Sequence, residues 1–440
     1  MSKSNCFREF IKYASFNILG MVFLSCYILA DTFFVSQGLG TNGLTALNIA
    51  IPFYNFIYGS ALMIGIGAAT RYSILISRKD KLAANKTFTN AIVLVIVFSI
   101  LFVIIGILFT SRIIAMFGVE QEIFDMADTY LKVIFLFSPA FLLNNVLICF
   151  IRNDGSPHLA MAAMISGSLL NVVLDWVFIF PCQLGIFGAA FATGLAPVCS
   201  IIILSGYFIC KKNKFHIVRC APKVSVILKI ILNGIPSLIT ELSSGIVIIV
   251  FNAIILGLQK SIGVAAYGVI ANLSLVVVSI YTGIAQGIQP LLSKYYGANN
   301  QNNIRHILRY ALITMLSVSA IVYASVFLGA SYITDIFNSD NSVLFHDIAV
   351  KGLRLYFIGC PFAGFNIIIS IYFTSTERPL PAQVISLLRG FIIIVPMAFL
   401  LSFIFKMQGV WCTFAATEIL VTLIGIIIFK AKKIKLPNPK

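Results

Sequence analysis

Long apolar runs separated by short polar intervals set the pattern of this chain. Twelve of them stand at roughly 10–35, 45–77, 87–110, 124–151, 158–180, 186–210, 226–256, 263–295, 303–330, 343–374, 380–405 and 408–430. A helix needs about 20 apolar residues to cross a hydrocarbon core. Several runs exceed that, so tilt or extension beyond the bilayer is expected. The pattern predicts an all-α polytopic membrane protein with twelve transmembrane helices.

Composition agrees with the pattern. Of 440 residues, 60% are hydrophobic and 10% charged, with mean hydropathy +1.00. A soluble protein carries about 25% charged residues. The net charge of +16 does not indicate nucleic acid, because the basic residues sit in the short intervals between apolar runs. With the N-terminus inside and the intervals alternating, 25 of the 31 Lys and Arg fall on one side and 6 on the other. That asymmetry places both ends in the cytoplasm. The longest internal basic segment, about 211–225, joins the two halves on the same side. The first run is too long for a cleavable signal peptide and leads into a second run.

The two halves repeat. Ser138-Pro139 parallels Cys360-Pro361, and Pro157 parallels Pro379, both at an offset of 222. Gly185-Ile186-Phe187 parallels Gly409-Val410-Trp411 at 224, and Gly38-Leu39 parallels Gly257-Leu258 at 219. Six spans per half give both halves the same orientation. The expected layout is two six-helix lobes, 1–215 and 216–440, related by a pseudo-two-fold axis along the membrane normal. Pro and Gly inside the spans, such as Pro52, Pro197, Pro236 and Pro396, are expected as packing or kink residues.

Enzymatic chemistry finds no support. The nine cysteines form no CxxC pair, and the four histidines are scattered without ligand spacing. No phosphate loop, nucleophile elbow or metal signature is present, and no cofactor is expected.

The acids carry the chemistry. Most lie in the intervals, but Asp31, Asp175, Glu241 and Glu418 fall within spans, with no Lys or Arg expected in the middle of a span to neutralise them. A carboxylate at a helix centre costs about 2.5 to 3.5 kcal/mol to insert, so it must face a cavity or a partner. Ser168, Asn171 and Asp175 share one helical face, and Tyr27 lies one turn before Asp31. For Asp175, one reading is a hydrogen-bonded residue between helices or near the headgroups. The other is a proton- or cation-binding site. Asp31 and Asp175 fall at the same depth in the N-terminal half. If they converge, they cannot both stay charged without a cation. Glu241, early in the seventh run, is the counterpart candidate in the second half, either for coupling or as a buried, hydrogen-bonded acid.

Taken in order, these segments resemble the MATE (multidrug and toxic compound extrusion) family. Asn171 to Ile179 followed by Leu184 to Thr193 resembles its fifth and sixth helices, and Asp31-Thr-Phe-Phe-Val with Gly38-Leu-Gly its first. Arg152 with Gly155-Ser-Pro157 resembles the loop after its fourth helix, and Gly283-Ile-Ala-Gln286-Gly-Ile-Gln289-Pro290 with Tyr296-Gly-Ala298 its eighth helix. The tone is that of the bacterial multidrug export branch. The resemblance implies a secondary exporter in the bacterial plasma (inner) membrane that exchanges small cationic amphipathic drugs for H+ or Na+. Carried over by motif, Asp31, Asn171, Asp175 and Thr193 would form the coupling-cation site. Tyr27, Glu241 and Gln286 would stand in secondary or substrate-facing positions. The expected partners are organic cations and membrane lipids, not nucleic acid, with the chain acting as a monomer. One departure stands out: many relatives have a proline early in helix one, where this chain reads Ala14-Ser15-Phe16-Asn17. The alternative is a flippase of lipid-linked precursors from the same superfamily, whose polyanionic substrates call for Arg and Lys along the cleft.

Overall fold

The computed structural model describes residues 3–338 and 342–431. Lys432, Lys433, Lys435 and Lys440, which are among the 31 Lys and Arg counted above, lie outside the described residues. Within them the chain forms helices joined by short turns and by one extended segment, 212–223. The helices are α1 (Lys3–Ser77), α2 (Lys81–Leu108), α3 (Thr110–Ala115), α4 (Gln121–Leu136), α5 (Ser138–Asn153), α6 (Pro157–Ile179) and α7 (Gly185–Ile209). There follow α8 (Val224–Gly297), α9 (Gln301–Phe337), α10 (Val343–Tyr356), α11 (Cys360–Ser375), α12 (Pro379–Leu387) and α13 (Ile394–Ala431).

Eight helical segments are long and apolar enough to cross a membrane, or nine when α4 and α5, bent by 47°, count as one. Large apolar side chains face outward along them, Phe403 and Leu328 being more than 80% exposed. Such surface is stable only against hydrocarbon.

The longest helices are interrupted rather than continuous. α1, α8 and α13 each contain one residue with non-helical backbone, Gly40, Lys260 and Lys406 respectively. The polar intervals read as loops at these places are single-residue breaks, because polar side chains at a membrane surface continue a helix as readily as apolar ones.

These breaks carry the internal repeat into the backbone. Left-handed residues pair as Gly40 with Lys260, Lys79 with Asn299, Gly155 with Glu377 and Gln183 with Lys406, at offsets between 220 and 223. The bend between α4 and α5 precedes Ser138-Pro139, and a 3₁₀ turn, Phe357–Gly359, precedes Cys360-Pro361. Each proline has no N–H to donate and so begins a new helix rather than continuing the old one.

Two compact units emerge, Ser15–Leu242 and Met1–Ala14 with Ser243–Lys440. The start of α1 belongs with the second because Glu9 accepts from the Tyr295 hydroxyl at 2.6 Å and pairs with Lys294 at 3.0 Å, while Phe7 meets Tyr310 edge-on.

Within the first unit, the later part of α1 crosses the early part of α8 at glycines. A Cβ on Gly67 would collide with the Ile230 carbonyl oxygen, and one on Gly234 with that of Met63. In a membrane, close backbone approach supplies association that apolar burial cannot. Gly234→Val is therefore expected to lower the melting temperature in detergent, at a cost of about 1–3 kcal/mol for overpacking. Val at Gly206, where a Cβ meets open space, is the control that should leave melting nearly unchanged.

Candidate cation site

The first part of α1 and the later part of α6 bring Asp31 and Asp175 together. Asp31 is 7% exposed and Asp175 0%. Their carboxyl groups lie within hydrogen-bonding reach of each other, and no Lys or Arg acts on either among the described residues. Two carboxyl oxygens come this close only with a proton or a cation between them. The Oδ1 atom of each is buried with no partner, so the pair keeps acceptor capacity that the protein does not fill.

Asn171 precedes Asp175 by one turn of α6 and faces the same way. With its amide oriented to satisfy both neighbours, Nδ2 donates to Asp175 Oδ2 at 3.1 Å and Oδ1 accepts from the Thr193 backbone N–H at 3.2 Å. Asn171 thus ties α6 to α7 and fixes the carboxylate it serves. Thr193, on α7, is also within hydrogen-bonding reach of Tyr130 on α4. The structure brings the four residues Asp31, Asn171, Asp175 and Thr193 together.

The remaining expected residues sit differently. The Tyr27 hydroxyl, one turn before Asp31, is 2.9 Å from that of Tyr54. Tyr54 stacks on Tyr58 with centroids 6.0 Å apart. Glu241, on the early part of α8, lies close enough to Tyr54 and Tyr58 for its charge to act on both. Glu241 therefore packs with the first unit, beside the tyrosines that flank Asp31. Gln286 is buried in the second unit. Asn17, in the stretch where relatives place proline, is 3% exposed and accepts from Arg152 Nη1 at 2.7 Å.

Sequence reasoning missed three tyrosines, Tyr54, Tyr58 and Tyr130. Tyr130 follows the acidic start of α4, where Ala127, Tyr130, Leu131 and Ile134 recur at helical spacing and are all buried. That spacing was the available signal.

Beside the pair lies a cavity of ≈ 50 Å³ lined by residues including Tyr27, Tyr54, Asn144, Ser168, Thr193 and Pro197. A water occupies roughly 10–15 Å³ by this measure, whereas drug pockets span about 300–1,000 Å³. The cavity admits a few waters and no drug in this conformation.

One expectation is corrected. Arg389, within the run 380–405, is counted above on the cytoplasmic side, and no Lys or Arg is expected in the middle of a span. Instead Arg389 lies in a π-helical turn, Leu388–Ile392, and binds Glu418 Oε1 through Nη2 at 2.7 Å and Nε at 3.1 Å. Asn366 Nδ2 donates to Glu418 Oε2 at 2.7 Å. At the repeat offset of 222, Asn366 corresponds to Asn144 and Arg389 to Gly167. The first half thus has a glycine and a cavity where the second half has a guanidinium and an ion pair. The second half has Phe251 or Val250 in the place of Asp31, and Met397, Ala398 or Phe399 in that of Asp175. An acid pair occurs in only one of the two repeats.

A family model for MatE matches residues 17–177 and 235–400. The multidrug export protein MepA of Staphylococcus saprophyticus is 22% identical over 428 residues, covering 97% of this chain and 94% of the relative. MepA of Staphylococcus aureus is 23% identical over the same length and shares. Among solved structures, a MATE protein in complex with MaL6 superposes with a TM-score of 0.91 at 22% identity, over 96% of this chain and 95% of that one. An outward-facing multidrug resistance MATE family transporter of the MOP superfamily gives 0.89 at the same identity and coverage. The structural likeness shows a shared fold, and the matched segments cover well over half of the sequence: the chain belongs to the MatE family.

Proposed function

We propose that this chain is a secondary active multidrug exporter that exchanges cationic amphipathic drugs for H+ or Na+ by alternating access. Its relatives named as multidrug export proteins support the transport class. The single observation that carries the coupling is the Asp31–Asp175 pair, buried and in mutual reach with no protein cation beside it. With one proton or Na+ between the carboxyl groups, α1 and α6 are drawn together. Loss of that cation leaves two like charges with no screening, and one of them must find water or a drug cation. Asn171 and Thr193 orient the pair, and hydroxyl and amide oxygens there suit either ion. Coupling needs only that drug and ion favour opposite conformations.

Counting the breaks at Gly40, Lys260 and Lys406 as turns between spans raises nine crossings to twelve. Twelve crossings in two repeats, 1–215 and 216–440, put both termini on the basic, cytoplasmic side of the plasma membrane. The chain would act as a monomer and without a cofactor. The flippase reading loses support, since the buried Arg152 and the part-buried Arg389 are already engaged, Arg152 with Asn17 and Arg389 with Glu418.

Inverted vesicles with an imposed gradient test the reading. Drug uptake into the vesicle lumen is expected when either a pH or a Na+ gradient alone is applied, with the second ion neither needed nor additive. Flux driven by neither gradient would overturn the exchange.

A further inference from the structure

The segment joining the halves is strapped to the first unit. Phe215 is fully buried, its ring 4.7 Å from Phe88 and 5.4 Å from Phe150. Asp154 accepts from the Tyr72 hydroxyl at 2.7 Å, the Tyr207 hydroxyl at 2.9 Å and the Lys214 backbone N–H at 2.9 Å. Further along, the Val218 N–H donates to Thr89 Oγ1 at 3.0 Å and the Lys223 N–H to Asn90 Oδ1 at 3.1 Å. Thr89 and Asn90 are adjacent on α2, while their partners are five residues apart. The strap between them has to loop away from the helix, and a pocket of ≈ 490 Å³ opens there.

Four cations line that pocket, Arg71, Lys86, Arg219 and Lys223, against one acid, Asp80. Asp80 caps α2 by accepting from the Ala83 N–H at 3.0 Å, so part of its charge is already used. The pocket lies at helix ends on the Lys- and Arg-rich side, which is headgroup depth for a spanning helix. Leu82 at its edge is 58% exposed, and Val224 and Leu228, next along the chain, are 78% and 52% exposed. A phosphate group would meet the cations while an acyl chain lay along those apolar side chains. A free inorganic phosphate would use the cations alone.

We propose that this pocket binds the phosphate group of an anionic phospholipid, holding the inter-half strap against the first unit. Basic pockets at helix ends on the cytoplasmic side suit such headgroups. Each cation near the surface contributes on the order of fivefold in affinity.

The test compares the full-length protein in nanodiscs of phosphatidylcholine with and without phosphatidylglycerol, reading retained lipid by native mass spectrometry. The wild type is expected to keep phosphatidylglycerol. The triple K86Q/R219Q/K223Q should bind it roughly a hundredfold more weakly. K86R/R219K/K223R should keep it, and so should K211Q/K212Q/R305Q, which removes three exposed charges outside the pocket. Equal loss in that last variant would reduce the effect to general surface charge and overturn the site. Retention in K86Q/R219Q/K223Q would do so as well. Displacement of the lipid by millimolar inorganic phosphate would overturn the lipid assignment in favour of a free anion.

Discussion

Under the proposed exchange, energised cells producing Asp175→Asn are expected to retain a fluorescent cationic dye that cells producing the unaltered chain should clear, with efflux falling to the rate of cells lacking it. Asn has nearly the shape of Asp and can still bond Asn171, so the fold and the membrane level of the protein should hold. What it cannot do is take up and release a proton, or supply negative charge for Na+. Asp175 makes its contacts at zero exposure, where a charge is too costly to leave uncompensated. On the proposed exchange, the compensating cation arrives with each cycle. Asp31→Asn should fail equally, and the double variant should be no worse than either alone, because two groups sharing one ion act as a unit. Efflux at the wild-type rate in either single variant would sink the pair as the coupling site.

Much of this site was legible because its signals are local. Asn171 and Asp175 share a face by spacing alone, and an acid in an apolar run announces that it needs a partner. The depth of Asp31 followed from counting spans. Helix starts were legible too, since Ser138-Pro139 and Cys360-Pro361 mark places where the backbone turns. What escaped was long-range. Nothing in the order of residues says that Arg389 reaches across 29 positions to Glu418. Sorting Arg389 by side of the membrane hid it, because a π-turn lets a residue near a helix end point inward. Tyr54 and Tyr58 escaped because aromatic residues serve lipid interfaces and polar cavities alike. Glu241 was placed by sequence half, yet α8 contributes its first part to the unit of the preceding helices.

The ion pair that escaped yields the second large expected effect, this time on stability. Glu418 is 3% exposed at its side chain and Arg389 14%. Arg389→Met leaves the carboxylate in a dry site with only Asn366 to serve it. Breaking a buried pair from one side costs about 3–5 kcal/mol, so the melting temperature in detergent should fall steeply. Glu418→Gln strands the guanidinium instead and should cost less, since Arg389 is the more exposed partner and can swing toward water. Arg389→Met combined with Glu418→Leu should recover most of the loss, because apolar replacement of both members of a buried pair is often neutral. The dye tells this role apart from that of the aspartates. The double variant is expected to export once folded, since Arg389 already supplies the positive charge that Glu418 needs and no mobile cation has to visit. Export lost in a double variant of wild-type stability would mean that Glu418 belongs to the coupling machinery after all. If Arg389→Met melted like the wild type, the pair would be contributing nothing to the fold.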